Sequence, residues 1–179
     1  MKLWHYVVLS VIEWHIVEKG TVRRLGFRGI YLITSDEKGR VAIPKRYREI
    51  LGGLESDDLI LTIDTEHPTL LIYPIEIWEE IEAQLIALPS FNEESRRIQR
   101  LLIGHASETR CDRNGRILIP GLLRDFAKFE KRLVLLGQGN KLELWSELEW
   151  ERARAEWITQ SRNRRNANGS GEGLEKLVF

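Results

Sequence analysis

Asp36 and Arg40 stand four residues apart in "SDEKGRVAIPKRYRE" (35–49), and Asp112 and Arg116 repeat the spacing in "CDRNGRILIPGLLRD" (111–125). An arginine guanidinium is a rigid fork of donors, and the major-groove edge of guanine offers two acceptors that match it. A carboxylate four residues back can hold that fork in place, so less rotamer entropy is lost on binding. A two-stranded ribbon fits the major groove. The chemistry on offer is therefore base reading, with Arg40 and Arg116 as readers. Asp36, Gly39, Asp112 and Gly115 build the turns that carry them. One bidentate contact discriminates by about 1–3 kcal/mol, so a reader of this kind must multiply its contacts by oligomerisation. The plainer reading is an Asp-x-x-Gly turn with an acid–base pair that only closes it, and the duplication weighs against that. Arg28, Lys38, Lys45 and Arg46 add nearby positive charge suited to phosphates. Arg48 and Arg124, each followed by an acid, read as structural ion pairs that lock helix to turn. "RRIQR" (96–100) reads as a solvated helix face.

Other chemistries find less support. His5, His15, His67 and His105 have no metal-ligand spacing. Cys111 is the single cysteine, which excludes an intramolecular disulfide and fits a reducing compartment. A Cys111–His105 nucleophile is conceivable, but no motif accompanies it. No phosphate-cradling loop or dinucleotide fingerprint is present. No cofactor, metal or effector site is expected, and the chain does not read as an enzyme. His67, before Pro68, reads as a turn residue, and Trp78, Trp145, Trp150 and Trp157 as core or interface anchors.

The elements around the two motifs repeat as well. A shift of 76 residues places Asp36 on Asp112, Gly39 on Gly115, Arg40 on Arg116, Pro44 on Pro120 and Arg48 on Arg124. Slightly different shifts align "LILTI" (59–63) with "LVLLG" (133–137), and Trp78 with Trp150. Two tandem copies of a unit of about 45–50 residues follow. In the first, a strand over 30–34 meets the turn 36–39, and a returning strand over 40–43 leads to Pro44, which opens a short helix. Strands over 59–64 and 69–74 come next. The second copy gives strands over 107–111 and 116–119, a helix after Pro120, and strands over 132–137 and 141–145. Between the copies, Ile77, Ile81, Leu85 and Leu88 have helical spacing. Pro89 breaks that run, and Asn92 can cap a second helix through Leu102. A further helix covers 146–160. Units this small are marginal alone, so the two are expected to share a core.

The chain has 179 residues, 42% of them hydrophobic and 30% charged, with a formal net charge of +0. Such a balance suits a globular protein and argues against coating nucleic acid by bulk charge, though not against a local basic face. Residues from 161 on are rich in Ser, Arg, Asn and Gly and are expected to be disordered. The first stretch, "MKLWHYVVLSVIEWHIVEKG", is too short and too polar to span a bilayer and lacks a cleavage site. It reads as a packing segment, a membrane-surface helix, or sequence upstream of the true start.

"FRG" (27–29), "DEKGR" (36–40), "IPKRYRE" (43–49), "IDTEHPTLLIYP" (63–74), "RRIQRLLIGHASE" (96–108), "DRNGRILIP" (112–120) and "GNKLELW" (139–145) together resemble the MraZ family of bacterial transcriptional regulators. The resemblance implies an α+β fold of two tandem AbrB-like (SpoVT–AbrB, swapped-hairpin or double-psi type) units with pseudo-twofold symmetry and flanking helices. It implies domains over 27–77 and 106–149, linking helices over 78–105, a C-terminal helix over 150–160, a tail over 161–179, and an extension over 1–26. Because the family begins near "FRG", a true start near residues 22–26 is favoured. It further implies a homo-oligomeric ring that binds promoter repeats of double-stranded DNA, repressing its own division and cell-wall gene cluster, in the cytoplasm at the nucleoid. No membrane partner is implied. Ser35 stands where the family has an apolar residue, which could loosen the strand end. An AbrB-like interaction module, antitoxin or scaffold, is the alternative reading, disfavoured by two fused units and a short tail.

Overall fold

The computed structural model describes residues 15–18, 21–24, 26–54 and 56–166, with side chains over 26–54 and 56–163. Most of the N-terminal extension, and the part of the expected disordered tail from 167 on, lie outside the described residues. Within the extension, β1 (His15–Glu18) and β2 (Thr21–Arg24) pair antiparallel as a sheet of their own.

Each unit then lays down the same elements. The first has β3 (Phe27–Thr34), β4 (Arg40–Ala42), α1 (Lys45–Leu51), β5 (Asp58–Ile63), β6 (Thr69–Pro74) and α2 (Ile75–Ile86). After α3 (Glu93–Leu102), the second has β7 (Ser107–Arg110), β8 (Arg116–Leu118), α4 (Gly121–Phe126), β9 (Arg132–Gly139), β10 (Lys141–Ser146) and α5 (Glu147–Asn166). Pro44, Pro74 and Pro120 stand immediately before α1, α2 and α4 with φ of −53°, −55° and −56°. Proline costs nothing there, because the first amides of a helix have no intrahelical acceptor to lose. Asn92 caps α3 as its sequence suggests, its side chain accepting from the amides of Glu94 and Ser95. Helix α5 runs on to Asn166, so residues 161–166 are helical rather than part of a disordered tail.

Six strands form one antiparallel sheet in the order β3-β9-β10-β6-β5-β7. Exchanging each strand for its counterpart in the other unit reverses that order onto itself, which is pseudo-twofold symmetry. The edge strand of each unit pairs with the other: β3 with β9, and β7 with β5. The remaining short strands, β4 and β8, pair across the units as a separate ribbon. The sequence suggests that β4 returns along β3 as a hairpin. Instead only a Ser35–Val41 bridge joins them, and β4 takes its ladder from β8.

Alternation sorts the strands into two faces. Leu59, Leu61, Ile63, Leu70, Ile72, Leu133, Leu135, Leu142 and Leu144 point to the main core, which also holds Val41 and Ile117 of the ribbon and Tyr47 and Leu123 of the short helices. On the opposite face Ile60, Leu71 and Tyr73 meet α2, while Val134 and Trp145 meet α5. Both faces of the central strands are thus covered, which explains why their sequences read as unbroken apolar runs. Trp78, Trp145 and Trp150 are buried, and Trp157 packs on Trp145 and Trp150 at ring distances of 5.7 and 6.0 Å. The ring of His67 lies 5.3–5.5 Å from Trp157 and Trp145, so it packs as well as turns.

Candidate nucleic-acid interface

The turn before β4 is built by its first residue. Asp36 Oδ1 accepts from the amides of Lys38 (3.0 Å) and Arg40 (2.9 Å), and Oδ2 accepts from Arg40 Nε at 2.7 Å. Gly39 closes the turn at φ +79°, donating its amide to the Asp36 carbonyl, in a region where glycine avoids the penalty of a side chain. The second turn copies this. Asp112 Oδ1 accepts from the amides of Asn114 and Arg116, Oδ2 accepts from Arg116 Nε at 3.0 Å, and Gly115 has φ +70°. The backbone bond from Arg40, aided by that residue's guanidinium, holds the Asp36 carboxyl below the usual carboxylate range despite partial desolvation; Arg116 does the same for Asp112.

The ribbon brings the two arginines together. Arg40 pairs with Leu118 and Ala42 with Arg116, so all four share one face, while Val41 and Ile117 between them point inward and are fully buried. Arg116 Nη1 lies 3.9 Å from Asp36 Oδ2, an ion pair between the units. The guanidiniums are partly exposed, with side-chain exposures of 34% for Arg40 and 31% for Arg116. Arg40 is tethered through Nε, and among the described residues its two terminal nitrogens keep their donors free; Arg116 also spends Nη2 on Asp112.

Other predicted site residues divide by position. The end of β4 abuts the second turn, where Ile43 donates its amide to the Gly115 carbonyl, and Ile119 donates to Gly39 in mirror image. Lys45 and Arg46 therefore flank the second turn, not the first, while Lys38 sits exposed on the first turn itself. Arg28 lies near the far end of β3, opposite Gln138, eight residues before Asp36, roughly 25 Å of extended strand. The structure does not bring it to the ribbon.

Arg48 and Arg124 correct a second expectation. Arg48 donates from Nε to the Ile43 carbonyl, and its neighbour Glu49 pairs with Lys45 instead. A Cβ on Gly115 would lie 2.5 Å from the Arg48 side chain, and one on Gly39 would lie 2.8 Å from Arg124. Each arginine thus covers the turn of the other unit, as packing rather than as an ion pair. No sequence signal marks that crossing. Arg113 is exposed on the second turn, to which the Ile43–Gly115 bond brings the start of α1, and the internal repeat marks it, since it occupies the place of Glu37.

A nucleophile finds no support in the geometry. His105 Nδ1 lies 2.9 Å from the Leu101 carbonyl, and burial pushes the Cys111 thiol up, away from the reactive thiolate. Among the described residues no group of acids, histidines and cysteine could hold a metal ion, and no helix is long and apolar enough to cross a membrane.

Comparison with known proteins agrees with the duplicated architecture. Residues 27–101 and 102–170 each match the family described as "MraZ protein, putative antitoxin-like". The chain belongs to the MraZ family. A protein named transcriptional regulator MraZ from Legionella pneumophila (strain Corby) is 53% identical over 134 residues, 75% of this chain and 88% of that protein. MraZ proteins of the same name from Hydrogenovibrio crunogenus and Alkalilimnicola ehrlichii are 52% and 47% identical, covering 75% and 76% of this chain and 88% and 91% of theirs. The solution structure of PHS018 from Pyrococcus horikoshii aligns with 68% of this chain and 88% of that one, at 17% identity and a TM-score of 0.29.

Proposed function

We propose that this MraZ protein is a transcriptional regulator that binds specific duplex DNA through the β4–β8 ribbon. The observation that carries the reading is the pair Arg40 and Arg116, set on one exposed face and each tethered by a carboxylate four residues back. Arg40 and Arg116 read base edges, while Lys38, Lys45 and Arg46 meet phosphates. Two arginine contacts supply about 2–6 kcal/mol of discrimination, so the protein acts as a homo-oligomer, a ring, on repeated sites. Self-association is supported by edge strand β3, whose outer face leaves Ile30 and Leu32 51% and 74% exposed. The target is the promoter region of its own division and cell-wall gene cluster, which it represses in the cytoplasm at the nucleoid.

Footprinting on the DNA upstream of its own gene tests this. A protected set of repeats is expected, and Arg40→Ala should lose about 1–3 kcal/mol of operator affinity with its fold intact. Unchanged affinity in the folded variant would refute base reading by Arg40. A stoichiometric small protein bound in place of DNA would favour an interaction module instead.

A further inference from the structure

The two turns are alike in backbone but not in charge. Because β4 and β8 cross between the units, each turn is flanked by the helix of its own unit's partner: the second turn by α1, the first by α4. The second turn and α1 gather Lys45, Arg46, Arg48, Arg113 and Arg116 against Asp112 and Glu49, five basic side chains against two acidic. The first turn and α4 hold Lys38, Arg40 and Arg124 against Asp36, Glu37 and Asp125, three against three. Gly121 and Leu122 stand where the other half has Lys45 and Arg46, and Leu122 is 68% exposed. The four-charge cluster at the ribbon centre is itself neutral, so long-range attraction to phosphates must come from the flanks. Lys45, Arg46 and Arg113 are all exposed, and the Lys45–Glu49 contact of 3.7 Å between exposed side chains is too weak to withdraw that charge.

Resting on the proposed DNA-binding reading, we propose that each protomer engages DNA unequally. The half built from the second turn and α1 grips the phosphates, and the half built from the first turn and α4 adds the base contact of Arg40, its phosphate contact through Lys38 weakened by the neighbouring Glu37 and Asp36. Arg113 is then a binding residue, and the pseudo-symmetric protomer has a polarity on the duplex.

The salt dependence of binding separates the halves. Each phosphate contact removed lowers the slope of log affinity against log salt by about 0.9 per engaged protomer. Wild type, Arg113→Ala, Arg46→Ala, Lys38→Ala and Glu37→Gln would be titrated with a duplex spanning the region upstream of the gene, and with a scrambled duplex of equal length. Arg113→Ala and Arg46→Ala should each lower the slope by close to that amount on both duplexes. Lys38→Ala should lower it by less than half as much, and Glu37→Gln should tighten binding. Equal losses for Lys38→Ala and Arg113→Ala would overturn the asymmetry while leaving DNA binding intact. Wild-type protein that binds neither duplex would overturn the DNA-binding reading and the asymmetry with it. Unfolding curves matching wild type ensure that the exposed substitutions report contacts and not folding.

Discussion

Asp36 divides its two oxygens between two tasks. Oδ1 takes the backbone amides of Lys38 and Arg40 and so shapes the turn, and Oδ2 takes the Arg40 guanidinium and so orients that side chain. Removing the guanidinium therefore leaves the turn standing, which is why Arg40→Ala should fold. Asp36→Ala should remove both functions, lowering stability as well as DNA affinity. The same bonds set a pH dependence. The folded Asp36 and Asp112 carboxyls titrate below their unfolded value of about 3.9. Their contribution is complete above that value and is lost as pH falls through the lower folded values. The melting temperature of wild type should drop across that acidic window more than that of Asp36→Asn/Asp112→Asn, in which neither turn position titrates and only the other carboxylates, such as Asp58, still do. The acid–glycine–arginine turns were legible from spacing, because each of the three residues answers a local demand. The neighbourhood of Arg113 was not legible, because the start of α1 comes to the second turn only through the crossed ribbon.

At the scale of elements, the turn chemistry pointed to a hairpin, and the partner strand was the part it could not supply. An Asp-x-x-Gly turn fixes the reversal of the chain, but a three-residue strand finds its ladder wherever a matching strand lies, and here that is β8. The crossing makes the buttressing reciprocal. Arg48 of α1 covers Gly115, and Arg124 of α4, whose buried Nε has no hydrogen-bond partner among the described residues, covers Gly39. Arg48→Ala should thus speed amide hydrogen exchange at Gly115 and Arg116, in the second unit's turn, and leave Gly39 and Arg40 at wild-type rates. Arg124→Ala should do the reverse. Effects confined to each arginine's own unit would contradict the crossing. Gly39→Ala places a side chain at φ +79° and drives a Cβ to 2.8 Å from Arg124. A loss of about 1–3 kcal/mol is expected from the backbone alone, readable as a lower denaturant midpoint with an unchanged slope.

The exchange of strands between units governs the whole molecule. The repeat announced two copies, and composition announced that neither had enough core to stand by itself, yet neither signal says which copy's strands pair. An unswapped pair and a swapped pair bury the same alternating residues, so the pattern is silent between them. The pairing has a consequence for what a unit can do alone. Cut from the second unit, residues 27–101 lose β9 as partner of β3, β8 as partner of β4, β7 as partner of β5 and β10 as partner of β6. Asp58 loses Arg110, whose Nε and Nη2 it accepts at 2.7 and 2.8 Å, and Val41 loses the buried Ile117 opposite it. The β5–β6 hairpin keeps its contacts with α2 and α3, and Tyr47 of α1 keeps Phe27, Tyr31 and the Gly29 carbonyl, too little apolar surface to offset the ordering of the rest. The isolated first unit should therefore give no folded monomer. It should either remain unfolded or dimerise, with a second copy supplying the missing strands in the places of β7, β8, β9 and β10. Mixed with residues 102–166, it should form a one-to-one complex with restored helix and sheet signals, measured by circular dichroism and by mass in solution. A cooperatively folded monomer of 27–101 would show that the cross-unit pairings are dispensable, and the arginine-bearing ribbon, which exists only between the units, would then not be what holds the two copies together.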